Sequence, residues 1–416
     1  MEEWNSMNSR RPVYRPPAAP TSPRQPASVY WMRRAIVALV FATIVVFGYY
    51  AITLGVALTN QSYGSSLSAR AAEWGRSHGF GVIVNWAEAE AYRLNPPKKG
   101  GAPPKGAFGS GPTKVSIPAS GHLPAPATIK TPAGHALPGE GVWHVVGRTT
   151  ANGVPGVYEA FVRPDAVHTS YVVGVAWMDP TVLTAQLYSG SYIPGGGPYR
   201  YTAPINAIAS KTIVAAFNAG FRVQDANGGY YTDGRLVKKL RNGAASIVIF
   251  KDGTMSLGMW GRDFTMSNQI ASVRQNLDLI VDHGKAVPGL AAQNTKKWGI
   301  TLGGTFNVWR SGLGVTKNGA LVYVGGPALS ISDLANVLVR AGAIRAMQLD
   351  INTGWVQYST FSGPIGTSLN GSNGTSLLSS MESPSRYFTT WWNRDFFTMS
   401  LRSNELTKTT AQKSKG

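Results

Sequence analysis

The chain has 416 residues, enough for one large domain or two ordinary ones with tails. Its formal charge is +19 but is diffuse: residues 140–398 hold 21 basic and 14 acidic residues, and no Lys/Arg-dense stripe with interleaved aromatics marks a nucleic-acid binder. Cysteine is absent, which excludes disulfides and thiolate metal sites, while the spread of positive charge suits long-range attraction to anionic lipid or cell-wall polymer.

Taken from the N-terminus, residues 1–34 are rich in Pro, Arg and Ser and read as a disordered tail. Residues 35–58, AIVALVFATIVVFGYYAITLGVAL, form an uncharged apolar run. As a helix this run spans about 36 Å, enough for the hydrocarbon core of a bilayer. A cleaved signal peptide has an apolar core of only about 7–15 residues, so a single-pass anchor is expected. Arg15, Arg24, Arg33 and Arg34 precede it, whereas only Arg70 and Arg76 follow within a comparable distance. The positive-inside rule then puts the N-terminus in the cytoplasm and the rest outside.

The juxtamembrane segment 59–95 holds two helical patterns, 68–76 and 86–94. Residues 96–139 carry Pro, Gly and five Lys with no acid and few large apolar residues. That composition predicts an extended spacer, either solvated or lying on anionic polymer. From residue 140 the pattern changes to short β-like runs: 142–146, 157–162, 171–178, 181–188, 213–217, 245–250, 255–260, 277–281, 314–316, 320–324, 346–349 and 355–360. Asp252-Gly253 and Asn318-Gly319 mark two hairpin turns. Ser330 and Asp333 resemble a capping box for a helix carrying Leu334, Val337, Leu338 and Ala341 at helical spacing, with Gly342 as its stop. Strands with few helices and no β-α alternation predict an α+β fold, a single mixed-sheet domain over 140–398 followed by a disordered basic tail, 399–416.

No Walker loop, dinucleotide fingerprint, His-Glu-x-x-His or Gly-x-Ser-x-Gly elbow is present. The six His (78, 122, 135, 144, 168, 283) are scattered, so no metal site is expected. Three carboxylates fall where strands hand over to loops, the usual place for a site. They are Asp225, Asp282 and Asp350, though an Asp at a strand end also makes local Asx-turns. Asp333 reads as a helix cap and Asp252 as a turn residue.

Five segments occur in an order that resembles the phosphodiester glycosidase family. They are a strand ending in Asn218-Ala219-Gly220-Phe221, a hairpin over 247–255, and Asn276-Leu277-Asp278-Leu279-Ile280-Val281-Asp282-His283-Gly284. Then come Arg310-Ser311-Gly312-Leu313-Gly314 leading through an Asn-Gly turn to Val324, and a helix running into Leu349-Asp350. The resemblance covers about 205–360. It implies an enzyme that cleaves sugar–phosphate diesters, with Asp350 and Asp282 in the carboxylate roles. Arg310 would hold phosphate, or else make an ion pair or pack its stem on Trp309; Asn218 would orient sugar hydroxyls, and Asn352 would add a further substrate contact.

Where the family has Leu-Asp-Gly-Gly-Gly-Ser, this chain has Leu349-Asp350-Ile351-Asn352-Thr353-Gly354, with bulkier residues in place of glycines. Two functional expectations therefore stay open: a membrane-anchored hydrolase of envelope glycans, and a degenerate module that binds anionic wall glycan through aromatics such as Tyr230, Tyr231, Trp391 and Trp392. A third is a scaffold using residues 386–397 as a sticky edge.

Overall fold

The structure, a computed structural model, describes residues 25–64, 66–109, 121–291, 298, 307–389 and 393–407. Residues 1–24, 110–120, Trp391, Trp392 and 408–416, on which parts of the tail, spacer and aromatic expectations fall, lie outside the described residues.

The chain forms two units, 1–56 and 57–416. Helix α1 (Ala27–Thr59), all but its last three residues in the first, begins eight residues ahead of the apolar run and takes in Arg33 and Arg34. Its large apolar side chains, Val37, Phe41, Ile44 and Phe47 among them, are exposed. Among the described residues it is the one helix long and apolar enough to cross a membrane.

The second unit opens with the hairpin of α2 (Leu67–Ser77) and α3 (Gly81–Leu94). Ser66 caps α2 by accepting the Ala69 N–H. The strands that follow are β1 (His144–Thr149), β2 (Pro155–Val162), β3 (Val173–Met178), β4 (Leu183–Tyr188), β5 (Ile213–Asn218), β6 (Tyr230–Thr232), β7 (Arg235–Lys238), β8 (Ala245–Phe250) and β9 (Met255–Met259). After them come β10 (Ile270–Gln275), β11 (Leu279–Asp282), β12 (Lys285–Ala286), β13 (Val308–Thr316), β14 (Leu321–Leu329), helix α4 (Ile331–Arg340), β15 (Ala343–Ile351), β16 (Tyr358–Phe361), β17 (Gly374–Ser376), the short α5 (Arg386–Thr389) and β18 (Phe396–Leu401). The α+β expectation holds. Its sheet part is three sheets, ordered β1-β2-β3-β14-β13-β15-β11-β12, β7-β6-β10-β8-β9 and β17-β16-β5-β18-β4, and the strand pairings among the described residues are antiparallel.

Alternation along the strands explains the layering. On β3, Ala176 and Met178 join the main core with Phe217 of β5 and Ile247 of β8, whereas Val173, Val175 and Trp177 face the other way. That second face is covered by α4, whose Leu334, Ala335, Val337 and Leu338 are buried and whose capping box of Ser330 and Asp333 is formed. Gly312 lets α4 approach: a Cβ there would lie 3.0 Å from Leu338 Cδ1 and 3.2 Å from Leu334 Cδ1.

Two boundaries differ from the expectation. The described parts of the 96–139 segment lie on the domain: Phe108 and Ile129 are buried, Gly100 donates to Val167 O (2.7 Å), and Trp143 Nε1 donates to Ala127 O (2.9 Å). Few apolar residues suffice there, because the backbone finds its hydrogen bonds on the domain surface. At the other end β18 reaches Leu401 and Glu405 is buried, so the fold runs past residue 398.

Candidate functional site

Strands from two of the three sheets bring polar residues to one buried place. β5 ends on Asn218, β13 carries Ser311, and β15 carries Asp350 one residue from its end. The Asp350 N–H donates to Ser311 Oγ (3.1 Å), to which Asn218 Nδ2 also donates (3.1 Å). Asn218 Oδ1 in turn accepts from Tyr323 OH (2.9 Å) and the Gln357 N–H (3.2 Å). Asn276, in the loop after β10, ties the segments together: its Nδ2 donates to Gln348 O and Leu349 O, both at 2.8 Å, and its Oδ1 accepts the Phe221 N–H (3.2 Å). Gly220, at φ +142°, sits against it, where a Cβ would come within 3.2 Å of Asn276 Cγ.

The charges come from the residues just before β18. Arg394 Nη1 donates to Asp350 Oδ2 (2.7 Å), and the guanidinium lies 3.9 Å from the centre of the Trp355 ring. Asp395 Oδ2 accepts from Arg274 Nε (2.6 Å), a pair with both side chains fully buried. Arg222, in the loop after β5, donates to Asp225 Oδ2 (2.7 Å). Burial pushes the Asp350 carboxyl up to about 6 despite the opposing pull of Arg394, and the Glu73 charge adds to the rise. Such a carboxyl changes protonation close to neutral pH, as a general acid or base must.

Glu73 reaches this place from α2. Its Oε2 accepts from Arg394 Nη2 (3.0 Å) and its Oε1 from Asn393 Nδ2 (3.4 Å), with only 1% of the residue exposed. Burial raises its pKa, but Arg394 together with Arg222 and Arg76 outweighs burial, and the net shift is downward, so Glu73 is ionised. On α3, Glu88 pairs with Arg76 and its Oε1 accepts from Asn352 Nδ2 (3.3 Å). Among the described residues no three His, Asp or Glu side chains gather where a metal ion could be held.

Of the residues singled out from the sequence, Asp350, Asn218 and Asn352 meet here. Asn218 spends both ends of its amide on protein partners, and Asn352, at φ 105°, turns toward α3. Arg310 is adjacent in the ladder, opposite Ile351, but its guanidinium donates to Leu329 O (2.8 Å) and Gln348 Oε1 (2.8 Å), and burial pushes it down to about 10. Asp350 takes its cation from Arg394 instead. Asp282 is not brought to Asp350. Val281 pairs with Ala346, four residues back along β15, a separation of about 13 Å at ~3.3 Å per residue. Asp282 itself is gripped by Arg262 at 2.6 and 3.0 Å. Asp225 is drawn in only as the partner of Arg222. Sequence reasoning missed Arg394, Glu73, Arg274 and Asp395. The adjacent charges of Arg394-Asp395 inside an aromatic-rich stretch were the available signal, since such residues fold inward only as pairs.

Residues 211–350 match the family described as phosphodiester glycosidase. That stretch is similar to a phosphodiester glycosidase domain. The match ends on Asp350, so Arg394 and Glu73 lie outside it. Among the solved structures to which the domain is similar are these two. One is the catalytic domain of zebrafish N-acetylglucosamine-1-phosphodiester alpha-N-acetylglucosaminidase, auto-inhibited by its pro-peptide (15% identity over 62% of this chain and 87% of that one, TM-score 0.39). The other is a hypothetical protein from Synechocystis (12% identity over 63% and 64%, TM-score 0.33). No curated protein matches the chain.

Proposed function

We propose that this protein hydrolyses the glycosidic bond of sugar–phosphate diesters in envelope glycans. The observation that carries the reading is the buried Asp350–Arg394 pair (2.7 Å) at the end of the stretch similar to a phosphodiester glycosidase domain. It joins a carboxyl that titrates near neutrality to a cation able to bind phosphate. In the reaction, the Asp350 carboxylate takes a proton from water as the water oxygen bonds to the anomeric carbon. The bond from that carbon to the phosphate oxygen breaks, and the phosphate leaves as a monoester with the electron pair, held by Arg394. Asn218, Ser311 and Tyr323 position Asp350 by hydrogen bonding rather than touching the sugar. The arginine-biased flank of α1 supports an anchor with its N-terminus in the cytoplasm and the domain outside.

The test is release of free sugar from N-acetylglucosamine-phosphate diesters and defined wall polymers by the full-length protein. Wild type should release sugar and Asp350→Asn should not. A wild type that binds these ligands without releasing sugar would replace this reading with the binding module, which the engaged Asn352 favours.

A further inference from the structure

Glu73 is out of place for a residue on a short amphipathic helix. A carboxylate leaves water for a buried site only where cations and donors compensate. Here the compensation comes from Arg394 and Asn393, 320 residues or more away in the chain, and from Arg222 through space.

The cradle is larger than its occupant. The domain's own acids already serve its arginines: Asp350 pairs with Arg394, Asp225 with Arg222 and Asp395 with Arg274. Even so, Arg394 Nε and Arg222 Nη1 are buried with no hydrogen-bond partner among the described residues, on side chains whose residues are only 6% and 8% exposed. A carboxylate offers two oxygens, and both of Glu73's are taken by Arg394 Nη2 and Asn393 Nδ2. A tetrahedral phosphate presents more oxygens around the same centre and can reach donors that a planar carboxylate leaves idle.

The occupant is also lightly held. α2 buries only Glu73 and Gly75 and α3 buries no residue, whereas α3 leaves Val82, Ile83 and Trp86 more than half exposed. An element with so little apolar burial is drawn from the low-stability end of a fold. With the hairpin in place Asp350, Arg394 and Trp355 are all buried.

We propose that Arg394, Arg222 and Asn393 form a phosphate subsite and that Glu73 is its internal occupant, which a phosphorylated ligand displaces as α2 withdraws. The identity of the anion as phosphate rests on the proposed function; the exchange of occupants does not.

A covalent lock tests this. A Cβ at Gly354 would lie 3.9 Å from Ala69 Cβ, inside the disulfide range of about 3.5–4.5 Å, and the chain has no other cysteine to interfere. In the full-length Ala69→Cys/Gly354→Cys protein, inorganic phosphate followed by calorimetry should bind when the pair is reduced and fail to bind when it is oxidised. In the single variant Glu73→Gln phosphate should bind about tenfold more tightly, the scale of one charge-assisted hydrogen bond. Equal phosphate binding in both redox states, or no gain with Glu73→Gln, overturns the proposal. Sugar release measured alongside separates it from the enzyme reading. Gated phosphate binding without sugar release in any state sinks only that reading, and sugar release indifferent to the disulfide sinks only this one.

Discussion

One guanidinium serving two carboxylates makes Asp350 and Glu73 electrically dependent on each other. Burial and the Glu73 charge both raise the Asp350 pKa, while Arg394 lowers it. Acting as a base, Asp350 works when ionised, so hydrolysis should rise with pH through about 6 and level off above it. Glu73→Gln removes a neighbouring negative charge and should move that rise to lower pH in kcat/KM, which reports the free enzyme with α2 in place; the pH profile of kcat/KM for each protein checks it. A different carboxyl governs stability. Glu159 on β2 lies in the core, and burial pushes it up to about 8 against the help of a Thr360 hydrogen bond. Folded protein therefore binds a proton that unfolded chain releases between about pH 4.5 and 8, and stability falls as pH rises across that window. Glu159→Gln should flatten the fall and add on the order of 3 kcal/mol at pH 7, read as denaturation midpoints at pH 5 and pH 8. At this scale the sequence disclosed Asp350 through its place after an apolar strand. It hid Arg394 and Glu73, whose meaning comes from a contact across more than 300 residues of chain.

Among the elements, the ones that were legible are those whose apolar periodicity matches a single buried face. α4 is the clearest case: its capping box and its Leu334, Val337 and Leu338 stripe are found as expected. Replacing Ser330 with Ala should lower stability by about 1 kcal/mol, the usual worth of such a cap, seen as a lower melting temperature. β13 was visible only over 314–316 although it runs from Val308 to Thr316. Arg310, Ser311 and Gly312 break the apolar pattern, two because they are buried polar residues with dedicated partners and one because α4 needs the space. β10 was missed for a related reason. Its buried Arg274 and Gln275 interrupt the apolar pattern, and Asp395, Gly229 and Ser246 satisfy them. Gly312→Val should push α4 off the sheet at a cost of about 1–3 kcal/mol, with greater hydrogen exchange in α4 than in β3.

For the whole molecule the expected spacer and the observed one lead to different experiments. Composition alone makes 96–139 a tether that can be discarded. In the structure Ile129 is buried, Ala127 accepts the Trp143 indole N–H, and Thr131 Oγ1 donates to Glu140 Oε1, which also accepts from Arg163. A chain beginning at residue 139 loses the first three contacts and leaves a buried indole N–H and part of a buried carboxylate unsatisfied. One beginning at residue 96 keeps them all. The shorter chain should therefore be less stable by about 3 kcal/mol or more, combining one lost apolar side chain with at least one stranded polar group. Urea titrations of the two chains measure the difference directly. Equal midpoints would mean that the segment rests on the domain without supporting it, and that the boundary at residue 140 legible in the composition is also the energetic one.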